Sequence, residues 1–183
     1  MVKPATAVVV ITLACVVVSA ADFELYDFEY TDDTGQCTVF LLTTAGADRM
    51  HLHDFEYNGD TAAGTGAAIA IVGGDGIKIH DFIMDGNFSV GGIDIRTTAT
   101  TDLKVYNCWS FRTRNAADIF IIDTITASTG QIGPNIYLRL QDNAANITEA
   151  ITGATFVQHL PISIVNNAGE VGMTTNATVS TDA

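Results

Sequence analysis

An eight-residue phrase returns along this chain at nearly constant spacing, and the spacing constrains the fold more than any other feature. The phrase occupies residues 23–30, 50–57, 77–84 and 103–110, and its second copy reads MHLHDFEY. The Asp or Asn in its fifth place recurs at steps of 27, 27 and 26 residues. A fixed step of this size is typical of proteins that stack one structural unit on the next.

Each repeat has the pattern of three short strands separated by bends. Before the Asp, apolar and polar residues of the phrase alternate, as they do in a half-buried strand. The short run after the Asp is the third strand of the repeat. A second apolar run precedes each phrase, at residues 15–18, 39–42, 69–72, 93–95 and 119–122. The sequence therefore predicts an all-β fold, a single-stranded right-handed parallel β-helix with about 27 residues per coil.

Equivalent side chains in neighbouring coils of such a solenoid lie about 4.8 Å apart, so they form ladders. One coil is too thin to bury its own apolar face, and we therefore expect stacking to supply the core. The two inward ladders predicted are Leu25, Leu52, Ile79 and Val105, and Phe28, Phe55 and Phe82.

The repeat continues less regularly towards the C-terminus. Residues 138–142 have the shape of a fifth phrase that arrives late, and residues 127–134 match the excess length as an insert. Residues 162–166 have the shape of a sixth phrase. We therefore predict about six coils in one domain at 1–166. The tail at 167–183 is expected to be extended and to cap the end or reach a neighbouring chain.

Charge and cysteine content bound the class of protein. The chain has 183 residues, with 8 Lys and Arg against 21 Asp and Glu, and a net charge of −13. Nucleic-acid binding requires a basic surface, so we predict no nucleic-acid partner. Cys15, Cys37 and Cys108 lie in or beside apolar runs rather than in an evenly paired framework. We interpret them as buried free thiols, with a disulfide between coils as the alternative.

The N-terminal segment admits two interpretations. Lys3 and the apolar run at residues 7–18, followed by small residues, have the pattern of a secretory signal. The β-branched residues of the run also suit a strand of the first coil, and residues 13–30 align without gaps on residues 67–84. We favour the strand, with a cleaved signal as the alternative. The run is too short and too interrupted by Thr for a membrane span, so no membrane partner is expected.

The most regular polar feature is the Asp or Asn that follows each phrase strand. We interpret it as a turn device, because Asp and Asn tolerate left-handed backbone geometry and cap free amides at bends. The alternation predicts that these side chains face inward, out of reach of a substrate, so paired catalytic acids are the alternative that we disfavour. The ladder comprises Asp27, Asp54, Asp81, Asn107, Asp142 and Asn166.

The outward residues of the phrase form the candidate contact face. Stacking aligns one column of Tyr26, His53, His80 and Tyr106, and a second of Glu24, His51, Lys78 and Lys104. We interpret this face as a subunit interface or a glycan-contacting surface, since stacked rings offer contact area at low entropic cost. Convergence of His51, His53 and His80 on zinc or nickel is the alternative, although we expect no metal and no cofactor.

A second exposed patch is predicted around Trp109, the only Trp of the chain, with Arg112 and Arg114 beside it. This patch is a candidate contact for a sugar or for another subunit. The chain has no Gly-x-Ser-x-Gly, phosphate-loop or His-Glu-x-x-His motif, so we predict no catalytic residue.

The Gly-, Thr- and Asn-rich coils, the recurring Asp-Phe pair and residues 164–173, which read IVNNAGEVGM, resemble short β-helix virion proteins of tailed phages, particularly marine ones. The resemblance covers most of the chain. It implies a capsid decoration or cement protein, or part of a tail spike or fibre, assembled in the host cytoplasm. It also implies a homotrimer that contacts other virion proteins such as the major capsid protein. Pectate-lyase-like enzymes share the coil, but their catalytic basic residues and calcium-binding Asp clusters have no clear counterpart here.

Three functional hypotheses follow. The first is a non-enzymatic structural protein of a phage virion, a capsid decoration protein above all. The second is a tail-spike module that binds or degrades surface polysaccharide through the Trp109 patch or the Tyr and His column. The third is a secreted β-helix adhesin, which requires the signal interpretation. A fold alone does not choose among them.

Overall fold

The computed structural model describes residues 14–32, 39–59, 65–86, 88–113, 120–123, 128–140, 151–152, 155–159 and 162–166. All regular secondary structure in these residues is β-strand. None of them belongs to a helix that is long and apolar enough to cross a membrane. The strands are β1 (Ala14–Val18), β2 (Glu24–Asp32), β3 (Val39–Thr43), β4 (His51–Gly59), β5 (Thr65–Ile71), β6 (Lys78–Gly86), β7 (Phe88–Ile95), β8 (Leu103–Thr113), β9 (Ile121–Asp123), β10 (Thr129–Ile132), β11 (Ile136–Leu140), β12 (Ile151–Thr152), β13 (Thr155–Gln158) and β14 (Ile162–Asn166).

The described strands pair in parallel and form two sheets between which the chain alternates. One sheet has the order β1-β3-β5-β7-β9-β12. The other has the order β13-β10-β8-β6-β4-β2, with β11 paired to both β8 and β14. This topology is a β-solenoid, which confirms the predicted fold class. About four turns spaced by about 27 residues are regular, fewer than the six coils predicted.

The core consists of the predicted ladders. The first ladder pairs Leu25, Leu52, Ile79 and Val105 in register, and these side chains are buried. In the second ladder the Phe55 ring lies between those of Phe28 and Phe82. Its centroid distances to them are 5.2 and 5.1 Å, and its plane is tilted by 3° and 2°. Each coil therefore completes the core of its neighbours, as a solenoid requires.

Each phrase strand bends at its Asp without leaving the sheet. β4 contains both the alternating run before Asp54 and the third run after it, and Asp54 between them has a φ of 51°. The backbone is left-handed at all equivalent corners, which are Asp27, Asp81 and Asn107. A second left-handed corner, which the sequence pattern did not indicate, precedes the phrase at Asp22, Arg49, Gly76 and Asp102. The first corner bends the strand within its sheet, and the second lies where the chain passes from one sheet to the other.

The corner Asp side chains point outward, so the predicted inward orientation is wrong. Asp27 is exposed, and the Asp54 side chain is 62% exposed. Leu52 and Phe55, which flank Asp54 at two residues before and one residue after, are both buried. The left-handed residue inserts one extra step into the period-two alternation, and the inward series resumes one place later.

The fifth coil begins earlier than predicted, and the interpretation of residues 127–134 as an insert is wrong. β10 lies within that segment and pairs with β8, with Ile132 opposite Val105. The next corner residue is Asn135, whose φ is 59°. Its amide Nδ2 donates a 2.9 Å hydrogen bond to Asn107 Oδ1. The sequence pattern concealed this coil because Gly130 replaces the first apolar residue of the phrase.

Of the last two predicted members of the corner ladder, only Asn166 is described by the structure. Asn166 ends β14, pairs with Leu140 and is not among the residues with a left-handed φ, so its prediction as a corner is wrong. Asp142 and the tail at 167–183 lie outside the described residues. The sequence pattern misplaced Asn166 because it assigned residues 138–142 to the phrase. Leu138 in fact pairs with Phe111, in the third run of its coil.

The strand predicted near the N-terminus is present as β1, which pairs with β3, and Val18 is buried. Its register differs by one residue from the ungapped alignment. Val18 pairs with Thr43 and Thr43 with Ile71, so Val18 aligns with Ile71 and not with Val72. The turn after each strand of this sheet varies in length, and an ungapped alignment cannot represent that variation.

The structure contains one cysteine as a free thiol and another in a disulfide, so each of the two interpretations holds for one residue. Cys108 is a buried free thiol, as predicted, and burial raises its pKa far above the ordinary range. Cys15 is disulfide-bonded, so the free-thiol prediction is wrong for this residue. An apolar surrounding suits a thiol and a disulfide equally well, which is why the sequence did not separate them. Cys37 lies outside the described residues.

Candidate functional site

The outward column is assembled as the sequence predicts. Tyr26 pairs with His53, His53 with His80, and His80 with Tyr106. Their rings stack with centroid distances of 5.1, 5.1 and 4.4 Å and are within 12° of parallel. The coil spacing imposes this stacking, because equivalent residues lie one strand separation apart. All four side chains are half-buried, so the strip is rigid before any partner arrives.

The second column concentrates positive charge beside this strip. Its members are Glu24, His51, Lys78 and Lys104, paired in register. Lys78 and Lys104, together with Arg49, line a cavity of about 330 Å³ next to His51. Three of the 8 cationic residues of an acidic chain therefore gather at one place.

Three imidazoles and one carboxylate form a cluster where the two columns meet. Glu24 Oε1 lies 3.4 Å from His53 Nε2 and 3.5 Å from His51 Nδ1. His51 Nε2 lies 2.5 Å from His80 Nε2. These four side chains are between 13% and 38% exposed, so the cluster is accessible to a small ion but largely shielded from water.

Two of the imidazoles are oriented by the residue that follows them. His53 Nδ1 donates to Asp54 Oδ2 over 2.7 Å, and His80 Nδ1 donates to Asp81 Oδ2 over 2.6 Å. Successive residues of a regular strand point to opposite faces and cannot make this contact. The left-handed corner brings both side chains to the outside, so the turn ladder also orients the imidazoles.

The surroundings of the cluster shift two pKa values. Burial, followed by the charges of His53 and His80, lowers the pKa of His51 below its usual range. Burial, followed by the charge of Asp81, raises the pKa of Tyr106. The His51 imidazole is therefore neutral at physiological pH, and the Tyr106 phenol keeps its proton.

The corner carboxylates also line a groove that runs across the coils. The groove has a volume of about 480 Å³, and its lining includes Asp27, Asp54, Asp81 and the side chain of Trp109. Trp109 is 56% exposed, which confirms its predicted outward position. A flat aromatic face beside a row of acceptors is suited to a polar chain with hydroxyl groups.

The structure describes only part of the predicted patch of Trp109, Arg112 and Arg114. The guanidinium Nε of Arg112 lies 3.5 Å from Asp85 Oδ2, so this cation is engaged by a carboxylate. Arg114 lies outside the described residues. Within the described part of the chain, Trp109 borders an acidic groove, because the corner Asp side chains face outward rather than inward.

Sequence reasoning missed one member of the imidazole cluster and the two carboxylates that orient its rings. Glu24 was placed in the second column but was not considered as a ligand, although the 27-residue step puts it beside His51. Asp54 and Asp81 were assigned to the turn alone. Their contacts with the preceding imidazoles depend on the left-handed φ, which the residue pattern does not show directly.

No protein-family model, curated protein or solved structure matches the chain. The function has to be inferred from the chemistry of these surfaces.

Proposed function

We propose that this chain is a non-enzymatic structural protein of a tailed-phage virion, a capsid decoration or cement protein, with the solenoid as a rigid body. The observation that carries the proposal is the stacked column of Tyr26, His53, His80 and Tyr106. In the proposal this column is the contact face for other copies in a homotrimer and for the major capsid protein. Preordered rings lose little conformational entropy when a partner covers them, so they suit an interface.

Charge complementarity supports self-association through the same face. The cavity with Arg49, Lys78 and Lys104 keeps a net positive charge although Arg49 and Lys104 are paired with Asp22 and Asp102, while Glu29 and Glu56 stand in the acidic groove of the same subunit. A basic patch on one copy and an acidic patch on the next favour a defined register between subunits. The overall charge of −13 keeps the subunits apart when these patches do not meet.

The decisive experiment is localisation on the natural particle. Mass spectrometry of purified virions is expected to find the chain in a fixed ratio to the major capsid protein, and absence from clean particles ends the proposal. Sedimentation of the isolated chain tests the contact face. Replacement of Lys78 and Lys104 by Glu is expected to reduce the trimer, whereas Arg112→Glu, at an exposed position of β8 outside both columns, serves as the control.

A second candidate function is recognition of surface polysaccharide by a tail-spike or fibre module. The observation that favours it is the 480 Å³ groove with exposed Trp109 beside the corner carboxylates. Trp109 is the only Trp, so its fluorescence reports directly on the groove. Saturable quenching by host polysaccharide, together with loss of binding to the immobilised polysaccharide in Trp109→Phe, supports this function. The function is ruled out if host polysaccharide does not quench the fluorescence and is not shortened after long incubation.

A further inference from the structure

The contacts of the imidazole cluster require more hydrogen atoms than the cluster contains. Glu24 contacts His51 and His53, and His51 contacts His80, which makes three contacts among four side chains. A carboxylate can only accept, and a neutral imidazole has one N–H and one lone pair. Each contact therefore needs one imidazole N–H to be a hydrogen bond.

Two of the three imidazole hydrogens are already committed elsewhere. Because Asp54 and Asp81 accept at the Nδ1 atoms of His53 and His80, those atoms carry the hydrogen. The Nε2 atoms of both rings then present lone pairs to the cluster. Only the single N–H of His51 remains, and it serves one contact of the three. Two contacts bring lone pairs face to face.

We propose that Glu24 Oε1, His51 Nδ1 and His53 Nε2 bind a divalent transition-metal ion of borderline softness, such as Zn²⁺. An ion at this point is coordinated by the lone pairs of both Glu24 contacts at once. The N–H of His51 then resides on Nε2 and donates to His80 Nε2. Each of the three imidazole hydrogens then has an acceptor, and each imidazole lone pair faces either the ion or a donor.

The distances agree with this assignment. Zinc ligands at about 2.0–2.1 Å in a tetrahedral site lie roughly 3.3 Å from one another. The two Glu24 contacts measure 3.4 and 3.5 Å. The ligand atoms of Glu24, His51 and His53 all lie within 4.8 Å of one another. In the proposal, small rotations of the His51 and His53 rings bring the third pair of ligand atoms to the same separation.

The residues around the proposed ligands include the hydrogen-bond acceptors that usually orient the imidazole ligands of a zinc site. A ligating imidazole typically donates its other N–H to a carboxylate or another acceptor, which fixes the ring and raises its basicity. His53 donates to Asp54, and in the proposal His51 donates to His80, which itself donates to Asp81. The acceptors offset the repulsion from Lys78 beside the cluster. Two nitrogens and one oxygen suit Zn²⁺, Ni²⁺ or Cu²⁺ better than Mg²⁺ or Ca²⁺.

The ion would join two coils. Glu24 belongs to β2, whereas His51 and His53 belong to β4, so coordination links adjacent strands across the stack. This inference does not rest on the virion proposal, because the link stabilises the solenoid in any setting. Three protein ligands leave a fourth position for water or for a group from another subunit.

Isothermal titration of the full chain with ZnCl₂, after removal of metal by a chelator, tests the proposal. We expect saturable binding of one ion per chain and at least tenfold weaker binding in Glu24→Gln. The matched control is Glu29→Gln, which removes the same charge from an exposed place on the same strand and is expected to leave affinity unchanged. Circular dichroism confirms that both variants are folded. Absence of one-to-one binding, or equal weakening by both variants, overturns the proposal.

A second measurement keeps the test decisive if Glu24→Gln is poorly folded. Co²⁺ bound to the unaltered chain is expected to give the intense visible absorption of a four-coordinate site, and Zn²⁺ is expected to displace it. His80→Gln, which removes a positioning residue rather than a ligand, is expected to weaken binding roughly 10- to 100-fold. Nitrogen NMR at pH 7.5 reports the protonation of the imidazoles. If His51 or His53 carries a hydrogen on both ring nitrogens and its signals do not change when Zn²⁺ is added, a proton fills the site and the inference is refuted.

Discussion

Replacing Asp27 by Val distinguishes a corner residue from an ordinary strand residue. Asp27 is exposed and lies within β2 with a φ of 56°. At a regular outward strand position Val is neutral or favourable, because β-branched residues suit strands. At a left-handed corner the same side chain is strained. A non-glycine residue held in such a region costs about 1–3 kcal/mol, and a β-branched side chain belongs at the upper end.

The expected loss for Asp27→Val is about 2–3 kcal/mol. For a chain of this size it lowers the melting temperature by roughly 4–12 °C. Asp27→Asn is expected to be neutral, since Asn107 already occupies an equivalent corner at a φ of 50°. Asp27→Gly is expected to change stability by less than about 1 kcal/mol, because glycine adopts the φ freely but gains entropy when unfolded.

Urea denaturation followed by circular dichroism measures these differences. Thr31→Val is the matched control, because Thr31 is exposed on the same strand, pairs with Asn58 and has no left-handed φ. We expect its unfolding free energy to stay within about 0.5 kcal/mol of the parent. The turn interpretation fails if Asp27→Val and Thr31→Val are equally stable, or if Asp27→Asn is as damaging as Asp27→Val.

Three further results are expected. Phe55→Leu keeps an apolar side chain but loses ring stacking on Phe28 and Phe82, and we expect urea denaturation to show a loss of about 1–3 kcal/mol. An unchanged midpoint would mean that burial alone accounts for the ladder. Cys108, whose pKa burial raises, should resist iodoacetamide at pH 8 until urea unfolds the chain, as mass spectrometry can establish. Rapid labelling of the native protein contradicts this. Folding lowers the pKa of His51, whereas in the unfolded chain this pKa is about 6.5. Below that pH the unfolded chain therefore binds more protons at His51 than the folded chain does. With chelator present, stability should therefore fall on acidification through that value, and an undiminished slope in His51→Gln refutes the assignment.

The regular part of the fold was predictable because two periodicities agree. The alternation in the phrase selects strands, and the 27-residue step determines which residues are neighbours. Together they predicted the Leu25 ladder and the contact between His53 and His80 without any structure. The prediction was less accurate where the apolar pattern was interrupted. At Gly130 the expected apolar side chain is missing, and the predicted position of the fifth coil was therefore too late.

The chemistry at the corners was harder to predict because it depends on φ. Period-two reasoning assigns His53 and Asp54 to opposite faces, whereas the left-handed residue places them together. The predicted role of Asp54 in the turn and its contact with His53 arise from the same backbone torsion. The composition of the phrase indicates the torsion, but only the coordinates show which atoms it brings into contact.

The position of β2 at the end of its sheet limits how these molecules can aggregate. Within the described residues, β2 has a strand partner on one side only. An edge strand of nine residues is a template for further strands and for fibre growth. β2 contains Glu24, Asp27, Glu29 and Asp32 and no basic residue. Two such edges in contact would oppose like charges along their length, so end-to-end polymerisation is suppressed and association is directed to the flanks of the rod.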